Sequence, residues 1–388
     1  MVFLWVVPAI LVALVTFIFS YFWLDYAVGV YIANGHPILN KLIEALTYTS
    51  LNHRLVWANY YLVIIFLLFA LQILYFRLAD KIALKPLFIT AAACTLLFSL
   101  SYPILSDDIF TYLFSAKMVW FYHLNPYTVK PIIFLGHDFE TNFLRNIDLT
   151  YAYGQVFLAY SMIPIIIFSA YRFVFTFFGL KLMNAILFFL AGLAIFKVTG
   201  KNRKVFSLWF FNPLLIVELL INSHNGIVMI CLFVISIYFL EKRKFTWAWI
   251  SFWASVFIKY VSIIATPVLL LNPKWRIRLF YFLSLGLPIY LQVQPRALQI
   301  WYFDWVYMFL PFIKLKTISW ILIYLMGIIL LIHYYPFLQT GQYNEPSAIP
   351  EAMLWFNLIF AIVVFVELNS GKLLNRLLAL KWKTFSKA

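Results

Sequence analysis

Long apolar stretches recur along the chain at 2–22, 55–76, 86–103, 204–221, 226–240 and 317–334. Each comes close to the roughly 20 residues that a helix needs to cross the hydrocarbon of a bilayer. Polar and apolar positions do not alternate within them, which excludes a membrane β-barrel. The pattern predicts an all-α, polytopic membrane protein with one domain over 1–388. No basic segment precedes the first stretch and no small-residue cleavage site follows it, so it reads as a retained helix and not a signal peptide.

Basic residues fall between the stretches, at Arg77/Lys81/Lys85, Lys201/Arg203/Lys204, Lys242/Arg243/Lys244, Lys274/Arg276/Arg278, Lys314/Lys316 and the tail from Lys372. Positive charge marks cytoplasmic loops. Both termini are then cytoplasmic, and 23–54, 104–155, the turn 222–225, the region near Pro295 and 335–350 lie outside, with about ten full crossings. Residues 156–198 are too long for one crossing and are expected to form a partial helix over 156–170 followed by one long helix. Residues 246–271 carry basic clusters at both ends, so they are expected to enter and return as a re-entrant hairpin with its tip near Ile258-Lys259-Tyr260. Irregular backbone at that depth is tolerated only where it lines a cavity or is buried in protein. The segment 371–388 alternates Leu with Lys and Arg, the pattern of a cytoplasmic basic tail attracted to anionic membrane lipids.

Composition agrees: 65% of residues are hydrophobic and 11% charged, against about 25% charged in soluble domains. The net charge of +15 would suggest nucleic acid on a soluble protein, but here topology accounts for it and no nucleic-acid partner is expected. Cys94 and Cys231 sit inside apolar runs and read as inert buried thiols, without disulfide or metal.

Of the 14 acidic residues, Asp107, Asp108, Asp138, Glu140 and Asp148 all fall in the 104–155 loop. If Asp107–Trp120 forms a helix lying along the interface, Asp108, Tyr112 and Ser115 share one face, and Phe110, Phe114, Trp120, Phe121 and Tyr122 seat it at headgroup level. The plainer alternative makes Ser106 an N-cap and the aspartates favourable first-turn charges.

The stretch Ser106-Asp107-Asp108-Ile-Phe-Thr-Tyr112, Lys117 and Asn125-Pro126-Tyr127 resembles the first outer loop of polyprenyl-phosphate-mannose-dependent mannosyltransferases of the GT-C glycosyltransferase superfamily. Tyr153-Gly154-Gln155, Asn212-Pro213 through Glu218 to Asn222-Ser-His224-Asn225, Lys259-Tyr260 with Pro267, and Trp301-Tyr302 follow in the family's order. Gln155 stands where the family has Pro, Gly226 where it has Asp, and Ala116 and His123 where Gly is usual. The resemblance spans roughly residues 100–310. It implies a GT-C-like bundle of about 10–13 transmembrane or partly spanning helices, with an extracytoplasmic catalytic loop carrying interfacial helices.

The family's aspartate aligns four residues before the Tyr, which selects Asp108 over Asp107. The resemblance further implies substrate contacts at Tyr112, Asn125, Tyr127, Tyr153, Asn225, Trp301 and Tyr302, a polyprenyl-phosphate sugar donor and a glycan or glycolipid acceptor. Chemistry points the same way. A lipid-phosphate donor already carries an anionic leaving group, so transfer needs chiefly a base for the attacking hydroxyl and cations for the departing phosphate. Asp108 suits the base, Asp107 a tuning neighbour, and direct displacement inverts the anomeric centre. No cofactor is required; a divalent metal on the aspartate pair is the alternative, although hard cations usually take more oxygen ligands.

Lys259 is the first candidate for the phosphate because a lysine at membrane depth is costly unless functional. His224 and Arg296 follow, while Lys117, on the opposite side of its helix from Asp108, reads as a headgroup or structural contact. Glu218, inside an apolar run, reads as an organiser of the Asn212–His224 segment. A lipid-linked-glycan flippase or a non-catalytic envelope assembly subunit remains the other reading. A flippase would be expected to show inverted repeats and polar residues near the midplane, whereas the acids here cluster in an outer loop.

Overall fold

A computed structural model describes residues 3–169, 172–292, 300–342 and 350–368. Every regular element among them is helical. Arg54–Leu78, Phe173–Val198 and Thr317–Thr340 are long and apolar enough to cross a membrane. Two further candidates are bent pairs, Trp5–Tyr21 with Tyr26–Ala33 at 92° and Arg203–Phe210 with Pro213–Ile221 at 40°. Shorter apolar helices, among them Leu84–Leu100, Gln155–Phe168 and Gly226–Glu241, accompany them.

Among the described residues the other apolar helices are too short to cross by themselves, and for one of them the reason is local. The run at 86–103 is helical only to Leu100, after which Ser101 is extended at ψ 147° and Pro103 disfavours helix in the residue before it. Seventeen helical residues rise about 25 Å, short of the ~30 Å hydrocarbon thickness. The first bent pair turns at Asp25, whose carboxylate accepts the amides of Ala27 and Val28 at 2.8 and 3.4 Å.

The 104–155 segment holds one α-helix, Asp108–Trp120, and two 3₁₀ turns, Pro131–Phe134 and Phe139–Phe143. The helix packs on Gln155–Phe168 and Phe173–Val198 and, through the loop, on Phe139–Phe143. Its ring placement corrects one expectation. Phe110 and Phe114 are buried, Phe110 stacking against Phe173 and Phe177 and Phe114 meeting Phe134 edge-on. Only Trp120 and Phe121 at its end stay exposed.

Of the two readings of Lys117, a headgroup or a structural contact, the structure shows the structural one. Lys117 is buried, with Nζ 2.7 Å from Asp138 and 3.0 Å from Glu140, and the Tyr122 hydroxyl donates to Asp138 at 2.8 Å. Burial works against each charge in this cluster, yet the Lys117 ammonium holds the Asp138 carboxyl below its usual range. Removing one partner of such a buried group typically costs several kcal/mol, so the cluster ties the loop's far turn to the helix.

Residues 246–271 form two short helical pieces. Phe245–Val256 ends at a break, Lys259 is extended at φ −143°, ψ 124°, and Tyr260–Ala265 continues into Thr266–Leu270 with Pro267 in its first turn. Ser255 closes the break, donating to the Met229 carbonyl at 2.8 Å and lying 3.0 Å from the Ser262 hydroxyl. The segment 371–388 and Arg296 lie outside the described residues.

Candidate active site

Asp108 is the first residue of its helix, whose N-cap residue Asp107 makes no side-chain cap. Ser106 Oγ accepts the Asp108 amide at 3.2 Å. Tyr112, one turn on, donates its hydroxyl to Asp108 Oδ2 at 3.2 Å, and Tyr153 donates to the same oxygen at 3.0 Å. His224 Nδ1 stands 3.3 Å from it as well. Three contacts thus converge on Oδ2, while the side chain keeps a quarter of its surface exposed. Burial disfavours the charge of Asp108, but the contact from His224 and the hydrogen bond from Tyr153 outweigh it, and the pKa lies below the usual carboxylate value.

Asp107 faces elsewhere. It forms an ion pair with Arg145, whose guanidinium also lies 5.3 Å over the Phe337 ring. Burial raises its pKa to about 6 despite the opposing pull of Arg145. The two adjacent carboxylates therefore have different neighbours and different acidities.

His224 reaches Asp108 because the Pro213–Ile221 segment ends in a π-helical turn over Ile216–Ile221. After it, Ser223 adopts φ +56°, a conformation that residues other than Gly, Asn and Asp seldom take. The His224 ring is buried, with Nε2 3.1 Å from Glu218. That contact is an ion pair without hydrogen-bond alignment, since Nε2 and both Glu218 oxygens have no hydrogen-bond partner among the described residues. With a carboxylate at each nitrogen, only the doubly protonated ring offers a proton to both. Burial opposes that charge, but Asp108 and Glu218 together raise the pKa to about 9. Trp301 stacks on the ring at a 4.9 Å centroid separation.

Lys259, at the break in 246–271, sends its ammonium 5.7 Å from the Tyr302 ring and 5.6 Å from the Trp305 ring. It interacts electrostatically with Asp108 and with Asp304. Asn225 follows His224, its amide donating to the Tyr112 hydroxyl at 3.3 Å. The Asn225 side chain is buried with neither polar atom paired among the described residues.

Two motif residues act at a distance. Asn125 is exposed, and its Oδ1 accepts the Tyr127 amide at 3.0 Å, building an Asx turn. The helix has already ended at Trp120, so this turn shapes the following chain. Tyr127 then donates to the Tyr153 carbonyl at 2.9 Å, and the Tyr151 amide donates to the Pro126 carbonyl at 2.9 Å. Asn125 and Tyr127 thus support the backbone that presents Tyr153.

Gly154 explains why the next position carries no side chain. Its amide donates to the Ile258 carbonyl at 3.2 Å, and an added Cβ would sit 1.8 Å from the Phe257 carbonyl oxygen. Gly154→Ala is therefore expected to push the Lys259 break away from Tyr153 and to cost about 1–3 kcal/mol, the usual range for overpacking. Thermal unfolding in detergent, read beside the transfer rate, checks this; wild-type values for both would show that the backbones need not approach so closely.

Sequence reasoning passed over Arg145, Asp304 and Lys181. Asp304 is buried with both carboxylate oxygens unpaired among the described residues, and it interacts electrostatically with Glu218 as well as Lys259. The signal was present for two of the three: like Lys259, Asp304 and Lys181 are charges inside apolar runs. No three His, Cys, Asp or Glu side chains converge as metal ligands among the described residues.

A profile of the family described as alpha-(1->6)-mannopyranosyltransferase, N-terminal domain, matches residues 3–273. That range includes Asp108, His224 and Lys259 and ends before Trp301. No curated protein and no solved structure matches the chain.

Proposed function

Since the chain belongs to the alpha-(1->6)-mannopyranosyltransferase family, membrane glycosyltransferases of the GT-C type that transfer mannose, we propose that it takes mannose from a polyprenyl-phosphate donor. The acceptor is a glycan or glycolipid hydroxyl, met at the extracytoplasmic face, with Asp108 as general base. The observation that carries this reading is the convergence of Tyr112, Tyr153 and His224 on one oxygen of a carboxylate that stays partly exposed. Those contacts orient the group and keep it ionised, leaving Oδ1 for the acceptor.

In the proposed step the acceptor hydroxyl gives its proton to Asp108 as its oxygen attacks the anomeric carbon, and the polyprenyl phosphate departs with the bonding electrons. An inverting displacement that forms an alpha linkage needs a beta-linked donor. Lys259 is the cation for the leaving phosphate, held against the rings of Tyr302 and Trp305. Both ring nitrogens of His224 are directed at carboxylates, which fits a residue that orients Asp108 and offsets its charge better than one that grips phosphate. Asn225 is the candidate for a sugar hydroxyl. Asp107, paired with Arg145, sets the edge of the site.

The test is transfer by purified protein offered a panel of polyprenyl-phosphate sugars with glycan and glycolipid acceptors, with products identified by mass. Mannosylated product from the polyprenyl-phosphate donor is expected; transfer only from a nucleotide sugar would overturn the donor assignment.

The site also fixes a pH dependence. Asp108, held below the ordinary carboxylate pKa, stays an active base through mildly acidic pH. His224 loses its proton only as pH rises through about 9, and with it the cation between Asp108 and Glu218. Turnover is expected to stay level across neutrality and to fall above about pH 9, the fall disappearing in His224→Gln. An alkaline fall that persists unchanged in that variant would assign it to another group.

A further inference from the structure

Lys181 lies within the Phe173–Val198 helix, completely buried. A lysine inside a spanning helix costs roughly 2.5–3.5 kcal/mol on insertion scales, so something must use its charge. No acidic group appears among its electrostatic partners in the described residues. Its ammonium instead donates to the carbonyls of Leu220 at 3.2 Å and Ile221 at 2.8 Å and to the Ser223 hydroxyl at 3.2 Å, with Phe177 beneath it at 5.7 Å. All three donors of the ammonium are used.

The acceptors identify the purpose. Leu220 and Ile221 close the π-helical turn, and the final carbonyls of any helix need outside donors. The chain after Ile221 cannot supply them in the usual way. The Asn222 amide returns to Val217 and the His224 amide to Glu218, at 2.9 and 3.1 Å, while the Asn222 side chain accepts the Leu105 amide at 3.1 Å. Ser223 is held in its left-handed conformation with its hydroxyl donating to Leu220 at 3.1 Å. A cation at a helix C-terminus also complements the helix dipole.

We propose that Lys181 is a positioning residue of the transfer reaction: by holding Leu220, Ile221 and Ser223 from a neighbouring helix, it fixes the turn that carries His224 and Asn225 to Asp108. The inference rests on the reading of Asp108 as the base, but its geometric core, the placement of His224, is separately measurable.

Lys181→Met keeps the length of the side chain and removes its donors. In the mannosyl-transfer assay the variant is expected to lose at least tenfold in kcat, with donor KM within about threefold of wild type, because Lys259 is untouched. Lys181→Gln, which restores two donors, is expected to recover part of the loss. Diethyl pyrocarbonate labelling, mapped by mass, reads His224 without reference to activity: the buried ring should react slowly in wild type and faster in Lys181→Met. Ser223→Ala, a smaller change, should move both readouts in the same direction if Lys181→Met fails to fold. Unchanged labelling in the folded variant overturns the proposal whatever the enzyme's donor. A lower yield of folded protein with normal kinetics per molecule and normal labelling reduces Lys181 to a structural part. If labelling rises but wild type moves no mannose from any lipid donor, the functional reading fails and the placement of His224 by Lys181 stands.

Discussion

Asp108→Asn is expected to lower turnover by about 10²–10⁴-fold, the usual contribution of a general base, with donor affinity nearly unchanged. Asparagine has almost the same shape and still accepts through its amide oxygen from Tyr112 and Tyr153, so the fold and the donor cations should stay in place. What it lacks is a basic oxygen for the acceptor proton. Asp107→Asn is expected to lose much less, because Asp107 is engaged with Arg145 and not with the hydroxyls around Asp108. Single-turnover transfer with donor binding on both variants separates the roles. An active Asp108→Asn, or an inactive Asp107→Asn beside it, would overturn the assignment of Asp108 as the base.

Lys259→Ala is expected to act on binding first. A charged hydrogen bond contributes roughly 1.5–3 kcal/mol, which corresponds to about a 10- to 100-fold weaker donor, and turnover should fall with it because the leaving phosphate loses its cation. His224→Ala should do the reverse, lowering turnover while donor affinity changes little, because its two nitrogens serve Asp108 and Glu218. Equilibrium binding of a non-transferable polyprenyl-phosphate analogue, compared with kcat for each variant, distinguishes the two. Equal affinity for wild type and Lys259→Ala would remove Lys259 from the phosphate site.

Helix content was legible from the apolar runs, because a membrane helix announces itself by composition alone. Helix ends were less so. The stop at Leu100 follows from Pro103, which the sequence displays, but the π-helical turn before Asn222 depends on a lysine some forty residues earlier, a pairing that no local pattern encodes. Asp108, Tyr112 and Tyr153 could be named from the motif, and the one-turn spacing of the first two is a property of any helix. That Phe110 and Phe114 turn inward was hidden, since an interfacial and an interior aromatic have the same spacing and only the covering helices decide between them. Asp304, set among Trp, Tyr and Phe, carries the same signal as Lys259, a charge inside an apolar run, but the charges it faces, Glu218 and Lys259, come from segments far away in sequence.

The contact of Gly154 with the 257–258 backbone bears on how a long lipid reaches the site. One wall, carrying Tyr153, and another, carrying Lys259, are stitched by a main-chain hydrogen bond with no room for a side chain between them, so that seam is a poor doorway. The 300–308 segment meets Lys259 and His224 through the faces of Trp301, Tyr302 and Trp305. Flat rings slide over a cation or over one another at little cost, whereas a main-chain bond must break. For the proposed lipid donor the expected way in, and for its carrier the expected way out, is therefore the aromatic side, with the Gly154 seam as the fixed wall opposite.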